Sequence, residues 1–229
     1  SEVFTNVMDS GNDTNDSLRV LGTADDDSIL VRASDAGLGM IALVPDEKVG
    51  AERVNYWNSG SSKGIDAVTV ETGIGGDTVA VDSTLTVMTI DLGSGNDTIN
   101  VGQLYGSENL SGINSLDSFA GNLIETSEGI LSAGNLHALY IDGSYNDDVY
   151  NVLHVSAPLS LISDIGVDTY NIKGFVDKSG NFIRNKDVIS LTGKMTRNNS
   201  GSATYQSDTT ANYWGTDKDD DFVYSCESV

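Results

Sequence analysis

Several things are scarce in this chain, and each scarcity excludes something. Cys226 is the single cysteine among 229 residues, so no intramolecular disulfide holds the fold. It reads as a partly buried thiol of the last strand, with an intermolecular bridge as the other option. Proline occurs twice, which leaves no proline-rich linker. Basic residues are few: 12 Lys and Arg stand against 34 Asp and Glu, for a net charge of -22. Such a surface repels nucleic acid and anionic membranes and draws cations. No run of 18 apolar residues exists, so no helix of the sequence spans a membrane. The two histidines, His137 and His154, stand without a Ser or Cys nucleophile motif and without His-x-x-x-His spacing. No enzyme is expected from them. No signal peptide is visible, and an opening Ser1-Glu2-Val3 reads as a processed product or an excised module.

What is present points to strands. Glycine occurs 25 times, Asn, Asp, Ser and Thr abound, and Val and Ile recur at every second position. That combination describes short strands broken by frequent turns. Hydrophobic residues make up 38% and sit in alternating runs, so the acidity belongs to a folded chain rather than a disordered one.

A kernel recurs along the length: Asp, a Thr- or Ser-like residue, then alternating apolar positions. Its copies start at Asp16, Asp27, Asp77, Asp97, Asp148, Asp168, Asp187 and Asp220. Three neighbouring pairs lie 20, 20 and 19 residues apart. Residues 68–81 align without gaps over 88–101, each reading as strand, turn, strand, with Val68, Val70, Val79 and Val81 over Met88, Ile90, Ile99 and Val101. A fixed spacing of about twenty marks stacked repeats. The expected fold is therefore all-β: one parallel β-solenoid module over residues 1–229 with rungs of about twenty residues, each stabilised mainly by its neighbours.

The spacing lengthens between Asp27 and Asp77 and again between Asp97 and Asp148. In the second gap Leu116, Phe119, Ala120, Leu123 and Ile124 fall at helical spacing, which predicts a short helical or loop insertion near 102–138. The stretch Arg197 to Thr210 reads as a polar loop or hairpin. Both ends of the chain carry kernel copies without an obvious cap. Exposed strand edges there invite neighbouring modules or head-to-tail copies, and so filaments.

Calcium takes six to eight oxygen ligands from carboxylates and carbonyls, and a Gly-x-Gly-x-Asp turn supplies both. Gly73-Ile74-Gly75-Gly76-Asp77 and Gly93-Ser94-Gly95-Asn96-Asp97 come close to the nonapeptide calcium repeat. Asp77, Asp97, Gly75 and Gly95 are the leading candidate ligands for Ca2+, with Asp148 and Asp168 behind them and Asp91 and Asp142 as upstream additions. The competing reading is that Asp and Asn in turns bond backbone amides and hold no metal. Candidate glycosylation sequons in loops are Asn109 and Asn198.

Through these turns, and through Gly22-Thr23-Ala24-Asp25-Asp26-Asp27 and Gly215-Thr216-Asp217 to Val223, the chain resembles extracellular proteins with hemolysin-type (RTX-like) calcium-binding repeats. The resemblance covers residues 9 to 224 and is degenerate outside 68–101, where paired glycines are missing. It implies secretion, calcium-dependent folding and a structural or adhesive role at the cell surface or in the extracellular matrix. The alternative is a carbohydrate-binding or carbohydrate-active parallel β-helix, for which Lys173, Lys178, Arg184 and Lys186 supply basic residues in one stretch without a recognisable arrangement. Ice binding needs a regular Thr or Asn row at the turns, and Ile74, Ser94, Tyr145 and Ile165 break it.

Overall fold

The computed structural model describes residues 3–9, 15–34, 36–44, 52–58, 64–106, 123–126, 129–162 and 165–173, with short strand segments from 175 to 225. Strands form wherever Val, Ile, Leu or Tyr alternates with small polar residues, because that pattern gives a strand one apolar face. One sheet has seven strands, all parallel, in the order β2 (Ser17–Leu21), β6 (Ala67–Glu71), β8 (Val87–Asp91), β12 (Leu139–Asp142), β14 (Leu159–Ile162), β18 (Ile189–Thr192) and β22 (Phe222–Ser225).

The other sheet has eleven strands. It begins β1 (Val3–Val7), β5 (Glu52–Trp57), β4 (Leu38–Leu43), β3 (Ser28–Ala33), β7 (Thr78–Val81) and β9 (Thr98–Val101). It continues β13 (Val149–Val152), β15 (Thr169–Lys173), β21 (Thr209–Trp214), β20 (Ser202–Tyr205) and β19 (Met195–Arg197). Two separate hairpins pair β10 (Ile124–Thr126) with β11 (Gly129–Leu131) and β16 (Phe175–Val176) with β17 (Phe182–Ile183).

The parallel β-solenoid expected for the whole chain is overturned by this topology. The eleven-stranded sheet is mixed: β4 runs antiparallel to both β3 and β5, and β20 runs antiparallel to both β19 and β21. The first strand, β1, pairs with β5 rather than with the next kernel copy. The long step from Asp27 to Asp77 is spent on β4 and β5, which widen one sheet and add nothing to the other. Apolar alternation has the same period in parallel and antiparallel strands, so the sequence pattern alone does not separate them.

The helical reading near 102–138 also fails where it can be checked. Ile124 lies in strand β10, which turns back antiparallel onto β11; Leu116, Phe119 and Ala120 lie outside the described residues, as do Asn109, Asn198 and Cys226. No helix occurs among the described residues.

Between β6 and β15 the two sheets share one core. Val68, Met88, Leu139 and Leu159 are register partners in the seven-stranded sheet, as are Val70, Ile90, Ile141 and Leu161. Opposite them, Val79, Ile99, Tyr150 and Tyr170 form one file and Val81, Val101, Val152 and Ile172 another. All of these are buried in a single cluster. The Tyr150 and Tyr170 rings stack with centroids 4.5 Å apart. Each buried aliphatic side chain contributes about 1.5–3 kcal/mol relative to leaving it exposed.

A stack of aspartate turns as the candidate site

The chain passes from the seven-stranded to the eleven-stranded sheet through turns that stack in register. Ile74, Ser94, Tyr145 and Ile165 are successive parallel bridge partners. The turn amides are satisfied by the adjacent turn: Ser94 N–H donates to Gly73 O (3.0 Å), Gly75 N–H to Ser94 O (2.9 Å) and Tyr145 N–H to Gly93 O (3.2 Å). Gly75 and Gly95 both have positive φ, at 138° and 139°. A Cβ on Gly95 would overlap the carbonyl oxygen of Gly75, so close stacking by itself demands glycine there. In the later turn Ser144 and Asn146 take the left-handed conformation without glycine, with φ of 60° and 78°.

At the inner side of these turns the kernel aspartates form a ladder. Asp27 N–H donates to Asp77 Oδ1 at 2.7 Å, and Asp77 N–H to Asp97 Oδ1 at 2.7 Å. Asp97 N–H donates to Asp148 Oδ1 at 3.0 Å, and Asp148 N–H to Asp168 Oδ1 at 2.9 Å. Asp77, Asp97, Asp148 and Asp168 are each 1–2% exposed. The structure thus brings together four of the expected residues, and adds Asp27 to them. Asp187 and Asp220 lie outside the described residues.

Asp91 and Asp142 stand apart from that ladder. They are register neighbours at the ends of β8 and β12 and are partly buried. Asp91 Oδ1 accepts Gly93 N–H and Asp142 Oδ1 accepts Ser144 N–H, both at 3.1 Å. The Ser144 hydroxyl adds a bond to Asp91 Oδ1 at 3.3 Å. The two amide bonds are local turn bonds, made two residues ahead as Asp commonly does, and the Ser144 hydroxyl links the two neighbouring turns.

A second ladder went unread in the sequence. On the outer side Asp26 Oδ1 accepts Gly76 N–H (2.7 Å), Asn96 Oδ1 accepts Asp147 N–H (3.3 Å) and Asp147 Oδ1 accepts Val167 N–H (2.7 Å). Its bonds run in the opposite sense to those of the inner ladder. The available signal was the Asp or Asn directly before the kernel Asp, as in Asp26-Asp27, Asn96-Asp97 and Asp147-Asp148.

The inner ladder carries an electrostatic deficit. In the first turn Asp27 Oδ2 is answered by Thr23 N–H at 2.6 Å. In the turns that follow, Asp77 Oδ2 and Asp97 Oδ2 are buried with no hydrogen-bond partner, and the N–H of Gly93 is bonded to Asp91 Oδ1 instead. Burial pushes the Asp97 carboxyl up to about 6, with the Asp77 and Asp26 carboxylates adding to the shift. Burial pushes Asp148 up to about 8, assisted by Asp97, Asp168 and Asp147. Desolvated carboxylates with no counter-charge are unstable as anions, and they call for a proton or a cation.

For Ca2+ the donor chemistry fits. Consecutive turns supply hard oxygens from Asp77 and Asp97, and each turn carbonyl keeps a second lone pair after its hydrogen bond. Among the described residues, no three acidic, His or Cys side chains converge on one point, so backbone carbonyls would have to complete any coordination sphere. The histidines lie elsewhere: His154 is buried with Nδ1 2.6 Å from the Ser132 carbonyl oxygen, and burial lowers the pKa of His137. The side chains of Lys173, Lys178, Arg184 and Lys186 fall outside the described residues. Comparison of the chain with family models, with curated proteins and with solved structures gives no match.

Proposed function

We propose that this protein is an extracellular structural module whose stacked aspartate turns are held by Ca2+. One observation carries the reading. Asp77 Oδ2 and Asp97 Oδ2, on successive turns, are buried and have no hydrogen-bond partner. A bound divalent cation would supply the missing positive charge in a chain of net charge -22. Asp77, Asp97, Gly75 and Gly95 would hold it, and its contribution is charge neutralisation rather than chemistry on a substrate.

The residues themselves do the positioning. Asp77 Oδ1 is fixed by the N–H of Asp27 and Asp97 Oδ1 by the N–H of Asp77, which leaves each Oδ2 as the uncommitted oxygen. Calcium at millimolar concentration outside the cell would complete the turns there, so that the module stiffens after export. Its role would be that of a structural module in a surface or matrix protein. The eleven-stranded sheet extends three strands beyond β2, so joining of copies end to end would proceed through the β1 edge rather than through β2.

The test is thermal unfolding at pH 8 and constant ionic strength, with calcium and then with chelator. A melting temperature higher by about 10 °C or more in calcium supports the proposal. Equal melting in calcium, magnesium and chelator removes it, and leaves the turns as purely hydrogen-bonded structures.

A further inference from the structure

The outer edge of the turn stack carries side chains that folding does not require. Turn positions favour Gly, Asn, Asp and Ser. Ser94 conforms, but its register partners are Ile74, Tyr145 and Ile165. These are 63%, 54% and 63% exposed, and Val167 beside them is 48% exposed. Their backbone amides are already bonded to the adjacent turns at Tyr145 and Ile165. The side chains therefore pay the cost of hydration without packing on the core, and they do so in one file along the stack. Scattered exposed apolar residues are ordinary, whereas apolar side chains at three of the four positions of one file, with only Ser94 between them, mark a contact surface.

The surroundings state what the occupant is made of. Asp25, Asp26 and Asp147 flank the file and are exposed. A second copy of this chain would bring like charge against like, so the complementary partner is apolar at its centre and basic at its rim. Rung spacing selects its conformation. Adjacent turns stand about 4.8 Å apart. A helix repeats its apolar stripe about every 5.4 Å, whereas alternate residues of a strand recur at roughly 6.7 Å. From Ile74 to Ile165 is three steps, a length of about 14 Å covered by roughly ten helical residues.

We infer that the Ile74–Ser94–Tyr145–Ile165 file is a docking strip for an amphipathic helix of a partner protein, its apolar stripe on the file and its Lys or Arg residues against Asp25, Asp26 and Asp147. This surface is independent of metal in the inner ladder.

The test uses a fluorescent helical peptide of roughly 16 residues with Leu on one face and Lys on the other. A second peptide has Gln in place of Leu and the same charge. The wild-type chain binds the Leu/Lys peptide at least about tenfold more tightly than the Gln/Lys peptide. The triple variant Ile74→Ser, Tyr145→Ser, Ile165→Ser loses that difference while its melting temperature stays unchanged; should the triple variant unfold, the single Ile74→Ser and Tyr145→Ser variants show partial losses. Equal affinity for both peptides would reduce the effect to net charge and overturn the inference. Undiminished binding by folded variants would also overturn it, by placing the contact elsewhere.

Discussion

The backbone N–H of Asp97 donates to Oδ1 of Asp148 at 3.0 Å, across 51 positions of sequence. The same bond joins Asp77 to Asp97 across 20 positions. The longer sequence separation therefore leaves the stack undisturbed: β12 takes its place beside β8, and β13 beside β9. The aspartate ladder is thus a register device as well as a charge problem, and the two roles separate experimentally.

Asp97→Asn keeps an acceptor for Asp77 N–H and removes the buried charge. Asp97→Ala removes both. In chelator at pH 8 the Asn variant should match or exceed the parent, while the Ala variant should lose about 1–3 kcal/mol by leaving an amide unpaired. Urea unfolding of the three proteins checks this ordering.

Acidification should stabilise the metal-free protein. The folded-state values of about 6 for Asp97 and about 8 for Asp148 lie above those of unfolded aspartate, near 3.9. The folded state then binds more protons, so this contribution is fully present below the unfolded value and is lost as pH rises through 6 and 8. Melting curves in chelator between pH 4.5 and pH 8.5 should show a steady fall, and Asp148→Asn should flatten its upper half. A rise in stability over that range would contradict the assignment.

Two glycines with positive φ should respond differently to alanine. At Gly95 the new Cβ would meet the Gly75 carbonyl, whereas at Gly106 nothing lies within 4 Å. Gly106→Ala should cost about 1–2 kcal/mol of backbone strain. Gly95→Ala adds a backbone overlap to that strain and should disrupt the turn stack, visible as loss of cooperative melting.

In the core, Ile141 is fully buried between Ile90 and Leu161 of its file, while the adjacent Tyr140 is 45% exposed. Ile141→Ala should cost about 2–5 kcal/mol. Tyr140→Ala should stay within about 0.5 kcal/mol of the parent. Equal effects would mean that the strand register is misassigned.

Residues 68–101 were the most legible part of the sequence. There the repeat of twenty, the turn glycines and apolar alternation coincide, and the observed partners Val68 with Met88 and Thr78 with Thr98 follow from direct alignment. The region from Ala33 to Trp57 was not legible in the same way. Met40, Ile41, Ala42 and Leu43 show no kernel, and alternation gives no strand direction, so the antiparallel β3–β4–β5 run was missed. At the site, the buried Asp residues were found from the kernel, but their mutual N–H bonds were not. A carboxylate that accepts an amide from the next rung has the same sequence signature as one that binds metal. The outer Asp26, Asn96 and Asp147 ladder was overlooked because these residues precede the kernel and share only an oxygen acceptor.

Calcium titration by calorimetry at pH 8, on the parent chain and on the Asp77→Asn, Asp97→Asn double variant, tests the central claim most directly. The account predicts saturable binding to the parent, with fewer ions bound by the double variant while its strand signal in circular dichroism is retained. Identical isotherms for the two proteins, or no heat of binding to the parent at millimolar calcium, would contradict it.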